Sequence, residues 1–264
     1  MAKNNNLTDF LKGIADKLRS VLGTSELIDP QDFETKIDTV YQKGGKDKLE
    51  TFWDSVFMPG GAAQINYDYA FSGYIWTHLW GTIPKEYVIT PKSQSGVGFR
   101  GAFLYSSITN PFKTSVYPNG KVTLNTSKVT NFTNTFSSSW VRSIPTIDAT
   151  SDTGGLYNCF SGATNLKTID KIILRDDGTN TFVNTFQYCN SLEDITIQGV
   201  IGQNGFNVSS CTKLTHDSLL SIINALKDYS GTTTAKTVTL GATNLAKLTD
   251  AEKATATEKG WTLA

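Results

Sequence analysis

Gly96-x-Gly98-x-x-Gly101 has the glycine spacing that lets a backbone approach a dinucleotide pyrophosphate. The polar run Lys92-Ser93-Gln94-Ser95 precedes it where an apolar strand is required, and no acidic residue follows about 20 positions on to hold a ribose, so the pattern reads as a turn. Asp152-Thr153-Gly154 has the wording of half an aspartic-protease site. That chemistry needs two carboxylates sharing one proton, and the chain holds no second copy, so a turn flanked by Ser151 and Gly155 is expected. The two histidines, His78 and His216, lack the neighbours of a zinc site or a nucleophile elbow. Cys159, Cys189 and Cys211 lie in apolar or small-residue surroundings at spacings that suit neither zinc nor an even disulfide framework, and they read as reduced core residues. Asp176-Asp177-Gly178 reads as a solvated acidic turn. No catalytic, cofactor-binding or metal-ligating residue is assigned, and a non-enzyme without cofactors is expected.

One segment suits recognition. Tyr74-Ile75-Trp76-Thr77-His78-Leu79-Trp80 sets three aromatic rings beside a histidine. Such a segment reads first as a core strand or subunit contact. Its functional reading is a sugar platform, because exposed Trp and Tyr faces offer contact area at low entropic cost. Tyr74, Trp76, His78 and Trp80 are thus the candidate glycan or subunit contacts.

Three amphipathic helices precede this segment. Leu7, Phe10, Leu11, Ile14, Leu18 and Val21 fall on one helical stripe that Gly23 ends. Asp29 as N-cap, Pro30 at the first position and Asp32 in the first turn open a second helix bearing Phe33, Ile37, Val40 and Tyr41. Leu49, Phe52, Trp53 and Val56 mark a third. Helices this short are marginal alone, so their stripes must pack on each other or on other subunits.

Beyond Gly61 charges thin out and a phrase recurs, F-x-x-x-F in most copies: Phe99/Phe103, Phe132/Phe136, Leu156/Phe160 and Phe182/Phe186. The second aromatic returns after 33, 24 and 26 residues, a spacing typical of stacked repeats that bury their apolar faces on one another. Thr215 is placed to cap a helix carrying Leu219, Ile222, Ile223 and Leu226, and Thr249-x-x-Glu252 is a capping box. Lys+Arg and Asp+Glu both number 24 and no segment is strongly basic, which argues against nucleic acid as partner. No run approaches the ~18 apolar residues of a membrane span, and the N-terminus has no signal-peptide core, so neither membrane insertion nor export by the usual route is expected.

Cys159-Phe160-Ser161-Gly162-Ala163-Thr164-Asn165-Leu166-Lys167-Thr168-Ile169 and Phe186-Gln187-Tyr188-Cys189-Asn190-Ser191-Leu192-Glu193-Asp194-Ile195 resemble units of the BspA-like leucine-rich repeat. Ile14-Ala15-Asp16-Lys17-Leu18-Arg19 with Ile28-Asp29-Pro30-Gln31-Asp32-Phe33 looks like the leader of tail and fibre proteins from phages of Gram-positive gut bacteria, and residues 214–248 are similar to that family's ending. The helical and repeat patterns together with this resemblance lead to an expected α+β fold. A helical N-terminal anchor (1–60) and an aromatic-rich β connector (61–130) would precede a short β-rich, leucine-rich-repeat-like solenoid with a helical C-terminal cap (131–264). The resemblance implies a non-catalytic virion protein for host attachment. The N-terminal helices would meet other virion proteins, the repeats a host-surface glycan or protein, and the assembly would be a homo-oligomer, with a trimer suggested by analogy with fibres. A bacterial adhesin with the same repeats and a polysaccharide-depolymerising tailspike are the alternatives, the latter requiring paired carboxylates across a groove.

Overall fold

Apolar spacing fixes the first element. The computed structural model describes residues 6–29, 32, 35–37, 39, 49–54, 56–57, 67–72, 80–91, 99–110, 112–232 and 236–264. Helix α1 (Asn6–Leu22) buries Ile14, Ala15 and Leu18. Gly23 ends it with φ at +66°, and the Thr24 N–H bonds the Arg19 carbonyl at 3.1 Å, as a left-handed C-terminal residue permits. In the second predicted helix Pro30, Phe33, Val40 and Tyr41 lie outside the described residues, while Ile37 is buried. Residues 49–54 and 56–57 are helical, with Leu49, Phe52, Trp53 and Val56 all inside. One apolar core runs from Ile14 to Trp261.

The centre of that core is a column of rings. Phe71, Phe103, Phe136, Phe160 and Phe186 stack at successive centroid distances of 5.0, 5.2, 5.7 and 5.5 Å, with interplanar angles of 26° or less. Each ring sits near the end of a tight run of turns, at 67–72, 99–105, 132–138, 156–162 and 182–188. The first layer, Tyr67-x-x-x-Phe71, escapes the sequence pattern because tyrosine stands in the leading place. Its hydroxyl donates to the Phe57 carbonyl at 3.2 Å, a polar need that phenylalanine does not have.

Main-chain bonds tie each layer to the next. The N–H groups of Gly101, Phe103 and Tyr105 donate to the carbonyls of Thr133, Thr135 and Ser137. Asn134, Phe136 and Ser138 donate likewise to Tyr157, Cys159 and Ser161, and Asn158, Phe160 and Gly162 to Val183, Thr185 and Gln187, all at 2.7–3.0 Å. The turns close because every fourth residue is left-handed: φ is +57° at Asn134, +52° at Ser138, +51° at Asn158, +72° at Gly162 and +53° at Asn184. Asparagine and glycine tolerate that region best, which explains their recurrence there.

The strands overturn the expected fold class. An α+β chain with one β-rich solenoid is not what forms; the described residues give a mixed α/β structure. Its strands are short and parallel and fall into three separate sheets: β1 (Tyr87–Ile89) with β2 (Val122–Leu124); a four-stranded sheet of β3 (Ser143–Ile144), β4 (Ile147–Asp148), β5 (Thr168–Ile173) and β6 (Asp194–Gln198); and β7 (Lys236–Val238) with β8 (Trp261–Leu263). No sheet runs the length of the stack. One reason is Pro145, which has no N–H for a ladder and stands between β3 and β4. Another is the shift of register between Ile169 and Ile172 where β5 meets β6.

The C-terminal segment alternates helix and strand as an α/β crossover. Helix α2 (His216–Ala225) follows β6, and β7 connects through α3 (Ala242–Leu245) and α4 (Asp250–Glu258) to its parallel partner β8. Thr215 caps α2, and Thr249 with Glu252 forms the capping box of α4.

Helix α2 also closes the free edge of β6. The Ile195 N–H bonds Ser218 Oγ at 3.0 Å and the Ile197 N–H bonds Ser221 Oγ at 2.7 Å, so two serines one helical turn apart replace a missing strand. Ser221→Ala should cost about 1–2 kcal/mol, because it strands a partly buried donor without removing apolar contact. Chemical denaturation and amide exchange at Ile197 measure this; an unchanged exchange rate would show that the hydroxyl is dispensable.

Candidate functional site

Each layer turns one edge outward. On it stand Thr133, Asn134, Ser137 and Ser138, then Tyr157, Asn158, Ser161 and Gly162, then Val183, Asn184, Gln187 and Tyr188. The segments 132–138, 156–162, 182–188 and 205–211 contain no charged residue. At the last of these a groove of about 440 Å³ opens between Val183, Asn184, Gln187 and Tyr188 on one side and Asn207 and Ser209 on the other. Asn207 is held for this by its own turn, its Oδ1 accepting from the Ser209 N–H at 2.9 Å and the Ser209 hydroxyl at 2.8 Å.

Tyr105 and Tyr188 are each 58% exposed and left-handed, with φ at +55° and +61°. Their places in the intervening layers are held by Ser138 and Gly162, residues better suited to that backbone. A bulky side chain there is an outlier that costs of order 1 kcal/mol or more, and such outliers concentrate at functional positions. Neither ring contributes to the core. Trp140 is half exposed, and its main-chain N–H bonds the Ser106 carbonyl next to Tyr105 at 2.7 Å, placing a third aromatic near this end of the face.

The residues singled out from sequence fall elsewhere. Trp80 is an interior residue, only 7% exposed and edge-on to Trp53, Phe57, Phe71 and Phe103 within 6.2 Å, so it offers no stacking face. Tyr74, Trp76 and His78 lie outside the described residues. Nothing in the sequence distinguishes Tyr105 and Tyr188 from core tyrosines except their alignment with Ser138 and Gly162, two residues beyond the second aromatic of the phrase.

The chemistry-bearing groups are engaged structurally. Burial pushes the Cys159 thiol well above its ordinary value, and a side-chain hydrogen bond with the free thiol of Cys211 together with burial does so for Cys189, so neither is a nucleophile at neutral pH. His216 Nε2 lies 3.0 Å from Glu252 Oε1, joining α2 to α4. Arg175 is paired with Asp177 at 2.9 Å and, with Thr179, holds that carboxyl far below its usual range. Gly101 is a left-handed turn residue facing Tyr69, while Gly96 and Gly98 lie outside the described residues. Among the described residues no group of three or more His, Cys, Asp or Glu could hold a metal ion, and no helix is long and apolar enough to cross a membrane.

Comparison with known proteins finds no matching family model, no matching curated protein and no matching solved structure.

Proposed function

We propose that this chain is a non-catalytic attachment protein of the virion-fibre type, and that its outward turn edge binds a neutral, hydroxyl-rich host surface. The observation that carries the reading is the uncharged face itself: several layers of Asn, Ser, Thr and Gln with exposed tyrosines, held in register by main-chain bonds. Fixed neutral donors and acceptors beside aromatic faces match sugar hydroxyls and sugar ring faces. A rigid scaffold lowers the ordering cost of binding, and a multi-copy fibre multiplies weak contacts into firm adhesion. The N-terminal helical region serves, in this reading, to join sister subunits and the particle.

Retention of the purified protein on host wall preparations tests the proposal. Tyr188→Ala and Tyr157→Ala should each weaken retention about tenfold, as expected for losing one aromatic stacking contact, with the melting temperature unchanged. Undiminished retention of the double variant would remove the turn edge from the function, and steady release of reducing ends from the wall polymer would replace attachment by hydrolysis.

A further inference from the structure

We infer that the ligand is a linear, unbranched, uncharged polysaccharide lying along the stacking axis, one sugar per layer, bounded by Tyr105 and Tyr188. The inference rests on the attachment reading and specifies its ligand. Tyr105, Ser138, Gly162 and Tyr188 occupy one place in four consecutive layers. The N–H of Tyr105 bonds the Ser137 carbonyl, that of Ser138 the Ser161 carbonyl, that of Gly162 the Gln187 carbonyl, and that of Tyr188 the Ser210 hydroxyl. They therefore form a single outward column with a large aromatic at each end and two small residues between.

The dimensions suit a sugar chain. The underlying rings step by 5.2, 5.7 and 5.5 Å, so the two tyrosines stand about 16 Å apart along the axis, as expected of a stack built on regular layer contacts. An extended pyranose chain advances by nearly one such step per unit, so four sugars would span the column, the outer two stacked on tyrosine rings and the inner two over Ser138 and Gly162. The floor between is tightly closed: a Cβ on Gly162 would come within 2.8 Å of Ser138 Oγ. In the three layers after the first, Ser137, Ser161 and Gln187, one residue before the column place, and Asn134, Asn158 and Asn184, four before it, repeat hydrogen-bonding groups; the Tyr105 layer has Leu104 and Gly101 there. A periodic neutral polymer can use each of these three repeats, whereas a single sugar or a disaccharide reaches only one or two layers. Among the 99–105, 132–138, 156–162 and 182–188 segments the one charged residue is Arg100, which lies over the Tyr69 ring, so an anionic polymer gains little from them.

Titration calorimetry with linear neutral oligosaccharides of one to six units, in gluco-, manno-, galacto- and N-acetylglucosamine series, tests this on the full chain. In at least one series affinity should climb steeply up to four units and then level off. Ser138→Tyr fills the floor with a residue that the same backbone place accepts in two other layers, and it should lower four-unit affinity at least tenfold while two-unit binding persists. Tyr105→Ala should lower the affinity for four units but not for two. Affinity independent of length, preference for branched or anionic chains, or no binding in any series would overturn the inference. If wall retention nevertheless still depends on Tyr188, attachment survives and only the axial ligand fails; if retention ignores Tyr188, the attachment reading itself fails.

Discussion

Phe160→Ala should destabilise the protein by about 3–5 kcal/mol, the range for truncating a fully buried aromatic, and lower its melting temperature by roughly 10 °C. The ring is wholly buried and stacked on Phe136 at 5.7 Å and on Phe186 at 5.5 Å. The cost should lie at the upper end because the cavity cannot collapse. Its neighbours are fixed by rows of inter-layer bonds, Phe136 N–H to the Cys159 carbonyl and Phe160 N–H to the Thr185 carbonyl among them, so closing the gap would break backbone pairing on both sides. Phe160→Leu keeps most of the volume and should cost clearly less. Urea denaturation of the three proteins measures the difference; a loss below about 1 kcal/mol for the alanine variant would mean that the rings do not hold the layers together.

Acidification from pH 7 to pH 5 should stabilise the chain through Asp152, against the usual trend for carboxylates. Asp152 is 3% exposed, its Oδ1 accepting from the Gly155 N–H at 3.1 Å and its Oδ2 from Asn180 Nδ2 at 3.3 Å. Asn180 is spoken for in turn, its Oδ1 accepting from the Arg175 N–H and its Nδ2 donating also to the Ala149 carbonyl, so it cannot turn to give Asp152 more. Burial outweighs these bonds and the distant Arg175 charge, and pushes the Asp152 carboxyl up to about 6 from 3.8.

The folded state therefore holds a proton that the unfolded chain has released between about pH 4 and pH 6. Stability from this group is fully present below pH 4 and is lost as pH rises through 6. The whole window is worth at most about 3 kcal/mol, of which about 1 kcal/mol is gained by pH 5. Asp16, Asp177, Asp228 and Glu252 are shifted downwards, so their opposite contributions fall away only at lower pH. Asp152→Asn should flatten the profile between pH 4 and pH 7, although an amide has one acceptor oxygen where the carboxylate has two and forfeits one of the two bonds. Equal pH slopes in parent and variant would assign the effect to another group.

Legibility followed the range of the interactions. Helix α1, the Thr215 cap and the Thr249/Glu252 capping box depend on neighbours within one turn, and their residues could be named directly. The aromatic phrase at 24- and 26-residue intervals placed Phe136, Phe160 and Phe186 in a common interior because apolar side chains repeated at that spacing have nowhere else to go. Strand extent was not legible. Ile172 and Ile173 of β5 pair with Ile197 and Gln198 of β6, yet Pro145 and the β5 irregularity interrupt the ladder, and the turns carry their own rows of inter-layer bonds.

The candidate site was the least legible part. Trp80 and Tyr188 are both large aromatics among mixed polar and apolar neighbours, and local sequence does not say which will be covered. Four aromatic rings of distant residues close over Trp80, whereas a left-handed backbone, closed by bonds to the adjoining layer, turns Tyr188 outward. By itself the sequence determined the local elements, the buried cysteines and the recurrence of the aromatic layers, since these follow from periodicity and from contacts close along the chain. Only the tertiary structure decided which aromatics face solvent, that Asp152 is buried and that Ser218 and Ser221 seal a strand edge. Each of those depends on segments about 20 or more residues apart being brought into contact, and the free energy of that contact is written in neither segment alone.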